Sequence, residues 1–204
     1  MSSNLRAIIG LGNPGNDYAR TRHNAGFWLV ERLAERHRGS FRVENKFHGE
    51  LARVQIGGQD VLLFKPGTFM NRSGLAAQAL AQFYKLTPAS DILIAHDELD
   101  LPAGTTRLKS GGGHGGHNGL RDLHRVFGEG YLRARLGIGH PGDKSLVLNY
   151  VLGRPSKADE DAIVKSLDDV CDAVETWFAR GWERAVNQLH SIPTPGKPGA
   201  GPKT

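Results

Sequence analysis

Short apolar blocks and amphipathic stretches take turns along this chain. Residues 5–10 (LRAIIG) read as a short buried strand. Over residues 25–37, Phe27, Val30, Leu33 and Ala34 fall on one helical face, and Asn24 is placed to cap that helix. Residues 49–56 and 60–65 pattern as a hairpin turning at Gly57-Gly58. The pattern then predicts a helix over 73–85, an apolar strand at 91–96 (DILIAH) and a shorter strand at 105–109. A helix at 119–127, a strand at 132–139 and two more helices at 158–179 and 182–190 complete it. Strands that alternate with helices predict an α/β fold, a single-domain sandwich with a central mixed sheet flanked by helices. That domain is expected to span residues 1–191. Residues 192–204 (IPTPGKPGAGPKT) are rich in proline and glycine and are expected to form a disordered tail.

A chain of 204 residues suits one domain of this kind, and 39% hydrophobic with 23% charged residues is ordinary for a globular protein. Cys171 is the sole cysteine, so no intramolecular disulfide can form, and a reducing compartment fits. No apolar signal region opens the chain and no 18-residue apolar run occurs, which predicts a cytoplasmic protein without a membrane span. The net charge of +5 conceals an asymmetry. Residues 159–175 hold seven acids and one base, so the remainder carries 25 bases against 14 acids, or +11. Such a basic body favours a polyanionic partner such as nucleic acid.

Six of the nine residues in 111–119 (GGGHGGHNG) are glycine, and Lys109 stands just before them. Glycines let backbone N–H groups approach a ligand closely, so this loop is expected to be shaped around a polar, anionic group. Gly10-x-Gly12-x-x-Gly15 imitates a dinucleotide fingerprint, but that motif needs a helix opening at the glycines, and here the helix begins near Ala25. Several polar residues sit just past apolar strands or at loop ends: Asn13, His23, Asn71 and Asp97, with His117 and Asn118 in the glycine-rich segment. Ligands gather beyond the carboxyl ends of strands in open α/β sheets, so these residues are candidates for one cleft. In residues 132–138 (LRARLGI) arginine alternates with apolar residues, placing Arg133 and Arg135 on one strand face. With Arg107, Lys109 and Lys144 they form a candidate phosphate-binding set.

Six segments together carry a family resemblance. Residues 9–15 (IGLGNPG), 18–26 (YARTRHNAG), 65–74 (KPGTFMNRSG), 96–104 (HDELDLPAG), 109–120 and 136–142 (LGIGHPG) resemble bacterial peptidyl-tRNA hydrolases, in order and at the expected spacing. The resemblance runs from about residue 6 to about 190. It implies a monomeric α/β enzyme that needs no metal or other cofactor and no obligate protein partner. Its substrate would be peptidyl-tRNA, cleaved at the ester between the peptide and the 3′-terminal ribose, which recycles tRNA from aborted translation. By the same resemblance His23 is the catalytic base and Asp97 its partner. Asn13, Asn71 and Asn118 bind substrate or position groups around the ester, and Lys109 and Arg135 hold tRNA phosphate. Asn13 and Asn118 are both candidates to donate to the oxyanion. Tyr18 and His117 join the substrate-binding set, and Met70 can offer the peptide an adaptable apolar wall or simply pack in the core.

Two other functions compete. A zinc hydrolase built on His114 and His117 lacks any His-Glu-x-x-His helix. A catalytically silent RNA-binding protein of the same fold would be expected to show gaps in the Asn13, His23, Asn71, Asp97 and Asn118 set. No G-x-S-x-G elbow supports a serine hydrolase.

Overall fold

Seven strands form one mixed sheet in the order β2-β3-β4-β1-β5-β7-β6. The computed structural model describes residues 4–195. The strands are β1 Arg6–Gly10, β2 Arg42–Glu44, β3 Gly49–Ile56, β4 Gln59–Pro66, β5 Ile92–Glu98, β6 Thr106–Ser110 and β7 Leu132–Gly137. The helices are α1 Ala25–Arg36, α2 Ser73–Tyr84, α3 Pro88–Asp91, α4 Asn118–Phe127, α5 Val147–Val151, α6 Lys157–Arg180 and α7 Trp182–His190. The four central strands β4, β1, β5 and β7 run parallel, while β3 and β6 join them antiparallel. The carboxyl ends of the parallel strands therefore share one edge of the sheet.

Period-2 alternation sends successive residues to opposite faces. Ile8, Leu63 and Leu93 pack with α1, α6 and α7, while their neighbours Ile9, Leu62 and Ile94 pack with α2 and α4. Helices cover both faces, which is why these strands are continuous apolar runs. The expected sandwich is present. Strand β2 and the short helices α3 and α5 are too brief to leave a periodic signal. Lys85 has φ 55°, in the left-handed region, and ends α2 one residue before the predicted end. Most of the tail expected over 192–204 lies outside the described residues.

Helix α1 sits unusually close to the sheet. A Cβ on Gly10 would lie 2.1 Å from the carbonyl oxygen of Gly26, and one on Gly26 would lie 2.4 Å from that of Ala95. A Cβ on Gly12 would meet the Phe27 ring at 2.7 Å. Gly10, Gly12 and Gly26 thus seat α1 on β1 and β5, and the first two glycines of the imitation dinucleotide fingerprint serve packing.

Three of the seven acids in the acidic stretch face the same helix. On α6, Asp168 accepts a two-pronged bond from Arg32 of α1 at 2.8 and 2.9 Å. Arg36 reaches Asp168, Asp172 and Glu175. The acids of α6 lock α1 from outside while Gly26 locks it from inside.

Candidate active site

The tight seating of α1 places the turn that precedes it over the carboxyl ends of β1 and β5. Residues Arg22–Asn24 form a single 3-10 turn, and both His23 and Asn24 are buried. Asn24 occupies the cap position of α1 but makes no capping bond. Its side-chain oxygen instead accepts from the Asn13 backbone N–H at 2.8 Å, and its amide donates to the Asn13 carbonyl at 2.9 Å. The expected helix cap is therefore a clamp on the loop after β1. Asn13 in turn accepts from the Met70 N–H through its side-chain oxygen at 2.7 Å, which joins the loop after β4 to the same cluster. With that oxygen engaged, the Asn13 NH₂ is turned to the other side.

Asp97 is not beyond the strand, as its pattern suggested, but inside β5, paired with Leu136 of β7. It is 4% exposed. Oδ2 accepts from His23 Nδ1 at 2.9 Å, and Oδ1 accepts from His117 Nε2 at 2.8 Å. His117 caps α4: its Nδ1 accepts the N–H groups of Gly119 and Leu120 at 3.1 and 3.3 Å. Both nitrogens of His117 are thus engaged, and the substrate contact expected of it gives way to a supporting position. An ionised carboxylate only accepts, so the proton of neutral His23 sits on Nδ1 and its Nε2 lone pair is free.

Burial pulls the His23 pKa down, but the charge of Asp97 and the hydrogen bond outweigh it, leaving it above the ordinary 6.5. Burial pushes Asp97 up, but the charges of His23 and His117 and their bonds hold it well below the usual carboxylate range. His96, one residue earlier, is 2% exposed. Its Nδ1 donates to the Asp97 carbonyl at 2.9 Å, its ring stands edge-on to His117 at 5.4 Å, and its Nε2 is buried without a partner. Burial, aided by the neighbouring His117, lowers its pKa to about 3.

His23, Asp97 and His117 offer ligand atoms within 4.8 Å of one another. One nitrogen of each imidazole nevertheless faces its own carboxylate oxygen at hydrogen-bond distance, and the remaining nitrogen of His117 is held by α4. This donor set fits a hydrogen-bonded chain. His114, the other half of the weighed zinc pair, accepts the Gly116 N–H at 2.9 Å within its own loop, while His117 is turned to Asp97 and α4.

The remaining candidates divide. Tyr18 is half-buried and meets exposed Phe69 edge-to-face at 6.3 Å, while Asn71 and Asn118 are exposed beside Met70 and His117. Met70 is 4% exposed and packs in the core, so the apolar-wall reading is corrected to the packing one. Lys109 is exposed on β6. Arg135 is half-buried, with Nε donating to Glu98 at 2.7 Å, so it is partly neutralised rather than a free surface cation. Arg133 is 3% exposed and is corrected from a candidate phosphate contact to a buried group.

The peptidyl-tRNA hydrolase family model matches residues 7–197. The chain belongs to the peptidyl-tRNA hydrolase family. It is 54% identical over 192 residues to the peptidyl-tRNA hydrolase of Haemophilus influenzae (strain 86-028NP), covering 93% of this chain and 98% of that one. Against the enzyme of Neisseria meningitidis (strain FAM18) the identity is 52%, covering 94% and 100%. The crystal structure of peptidyl-tRNA hydrolase from Acinetobacter baumannii superposes with a TM-score of 0.90 at 45% identity, covering 95% of this chain and 98% of that one. Membership of the peptidyl-tRNA hydrolase family makes this chain a hydrolase, and the buried His23–Asp97–His117 chain is its most concentrated chemistry. Pattern alone missed Asn24, taken for a cap, and His96, taken for strand core. The adjacency of both to His23 and Asp97 was the available signal.

Proposed function

We propose that the chain hydrolyses the ester between a peptide and the 3′-terminal ribose of tRNA, with His23 as general base. The observation that carries this reading is the bridging carboxylate of Asp97, which holds His23 by Nδ1 and leaves Nε2 free. Water positioned at Nε2 gives up a proton as its oxygen attacks the ester carbonyl. Asp97 stabilises the imidazolium that forms, and that imidazolium then protonates the departing ribose oxygen. Peptide leaves as a carboxylic acid and tRNA with a free hydroxyl. Asn13 is the preferred oxyanion donor, because its oxygen is pinned by Met70 N–H and its NH₂ is left to face the substrate. His117 holds the second oxygen of Asp97. Tyr18, Asn71 and Asn118 line the side that receives the peptide and the tRNA 3′ end. Lys109 and the terminal nitrogens of Arg135 meet phosphate.

The physiological role that follows is recycling of tRNA from aborted translation, by a cytoplasmic monomer without an obligate protein partner. Among the described residues no helix is long and apolar enough to cross a membrane. The deciding experiment compares wild type with His23→Ala on N-acetyl-aminoacyl-tRNA in the presence of a chelator. Wild type releases the acyl group, and the variant loses on the order of 10²–10⁴ in kcat while still binding tRNA. A loss below about tenfold removes His23 as the base. Chelator-sensitive activity returns the three-ligand cluster to consideration as a metal site, and tRNA binding without any release leaves only the RNA-binding reading.

A further inference from the structure

Arginine at position 133 is buried, yet its hydrogen-bond partners are not acids. Its Nη1 donates to the Gly113 carbonyl at 2.5 Å, and its Nη2 donates to the Gly112 carbonyl and to His124 Nε2, the latter at 3.1 Å. Its guanidinium also lies over the Tyr131 ring, 4.8 Å from the centroid. A cation placed under a glycine-rich loop in this way restrains a segment whose backbone is otherwise costly to order. Gly111, Gly112, Gly115 and Gly116 all have positive φ.

The bonds also fix a direction. All peptide bonds here are trans, so each C=O points opposite to the N–H of the same peptide unit. Drawing the carbonyls of Gly112 and Gly113 inward turns the N–H groups of Gly113 and His114 outward. The loop N–H groups of Gly111, Gly116 and His117 are bonded within the protein, whereas those of Gly113 and His114 have no such bond among the described residues. Gly113 is exposed, with open space where a side chain would stand. Lys109 is directly opposite Arg133 in the β6–β7 register. Its Nζ fills the place a Gly112 side chain would take, at 2.8 Å from that Cβ position. An ammonium beside Gly112 and outward N–H groups on the two residues that follow thus lie along one short stretch of the loop, donors of the kind a phosphate takes.

We propose that Arg133 is a positioning residue for tRNA: it holds the glycine-rich loop so that the N–H groups of Gly113 and His114, beside Lys109, receive a backbone phosphate of the substrate. This rests on the reading that tRNA approaches the β6–β7 edge. Arg133 itself stays beneath the loop and touches no phosphate. Lysine cannot replace it, since one ammonium lacks the planar fork that reaches two carbonyls and an imidazole.

The test measures deacylated-tRNA affinity against salt, together with kcat and KM on N-acetyl-aminoacyl-tRNA, for wild type, Arg133→Gln and Arg133→Lys. Both variants should weaken tRNA binding and raise KM by roughly tenfold, the scale of one or two lost charge-assisted hydrogen bonds. Their kcat should stay within about threefold, and their salt slope should match wild type, because no phosphate ion pair is lost. Unchanged affinity in Arg133→Gln overturns the proposal. So does a slope reduced by about 0.7–0.9 in Arg133→Gln with affinity restored in Arg133→Lys, the signature of a direct phosphate contact. Should the variants fail to fold, wild type alone decides. On titration with an acceptor-stem RNA hairpin, the Gly113 and His114 amide resonances should move with saturation. Amides that stay still while the RNA binds refute the site. Absence of RNA binding by wild type instead refutes the tRNA approach on which it rests.

Discussion

Asp97 has two oxygens and two histidines to serve, and an amide cannot do both tasks. In Asp97→Asn, an NH₂ facing His117 opposes the Nε2–H that the cap of α4 imposes. An NH₂ facing His23 takes the Nδ1 lone pair and moves the imidazole proton to Nε2, the nitrogen that the proposed base needs free. Either way kcat should fall on the order of 10²–10⁴ with little change in KM. The pH profile supplies an independent check. Asp97 is what raises the His23 pKa against burial, and a base works when deprotonated. The acid limb of kcat/KM should therefore lie above the ordinary histidine value in wild type and move to lower pH in Asp97→Asn. A limb that stays in place would detach it from His23. The identities at this site were legible because His23, Asp97 and Asn13 stand out as polar groups next to apolar runs. Their partners were not. Asn24 looks like a helix cap in any linear pattern, and its role as a clamp on Asn13 exists only once two loops meet.

The seat of α1 decides where the turn that carries His23 lies, and it depends on an absent side chain. A methyl group on Gly26 would lie 2.4 Å from the Ala95 carbonyl and 2.5 Å from the Leu11 N, both backbone atoms that cannot rotate away. Gly26→Ala should cost about 3 kcal/mol or more in urea unfolding and lower activity with it. Gly113→Ala, with open space and no positive φ, should stay within about 0.5 kcal/mol of wild type. Equal midpoints for the two variants would disprove the close seating. Elements of this size were readable from sequence because strands of five residues or more and helices of nine or more repeat their apolar positions. Strand β2, with its three residues exposed or half-buried, repeats nothing. The alternation in β7 placed Arg133 and Arg135 on one face, yet one is covered by the glycine-rich loop and the other ion-paired with Glu98. Parity along a strand determines the face and says nothing of what lies over it.

At the scale of the whole molecule, the site leaves a mark on stability. The three shifted groups act in different pH windows. His23, with its pKa raised, contributes stability that is complete below 6.5, its unfolded value, and is lost as pH rises through the folded value. Asp97, depressed, contributes above its unfolded value of 3.8 and loses that contribution as pH falls further. His96 governs the interval between. Its folded pKa is lowered to about 3 from 6.5, so below 6.5 the unfolded chain binds a proton that the folded protein refuses. Stability should then decline on acidification by on the order of 1 kcal/mol per pH unit, before Asp97 begins to titrate. His96→Asn removes the titrating ring while keeping a polar group able to donate to the Asp97 carbonyl. Urea midpoints of wild type and His96→Asn at pH 7 and pH 5 separate the contributions. The variant should be the less stable at pH 7, having lost a packed ring, and should lose markedly less between pH 7 and pH 5. A wild-type decline that persists undiminished in His96→Asn would place the acid sensitivity elsewhere, and the buried neutral imidazole beneath His117 would then cost the fold nothing in this range.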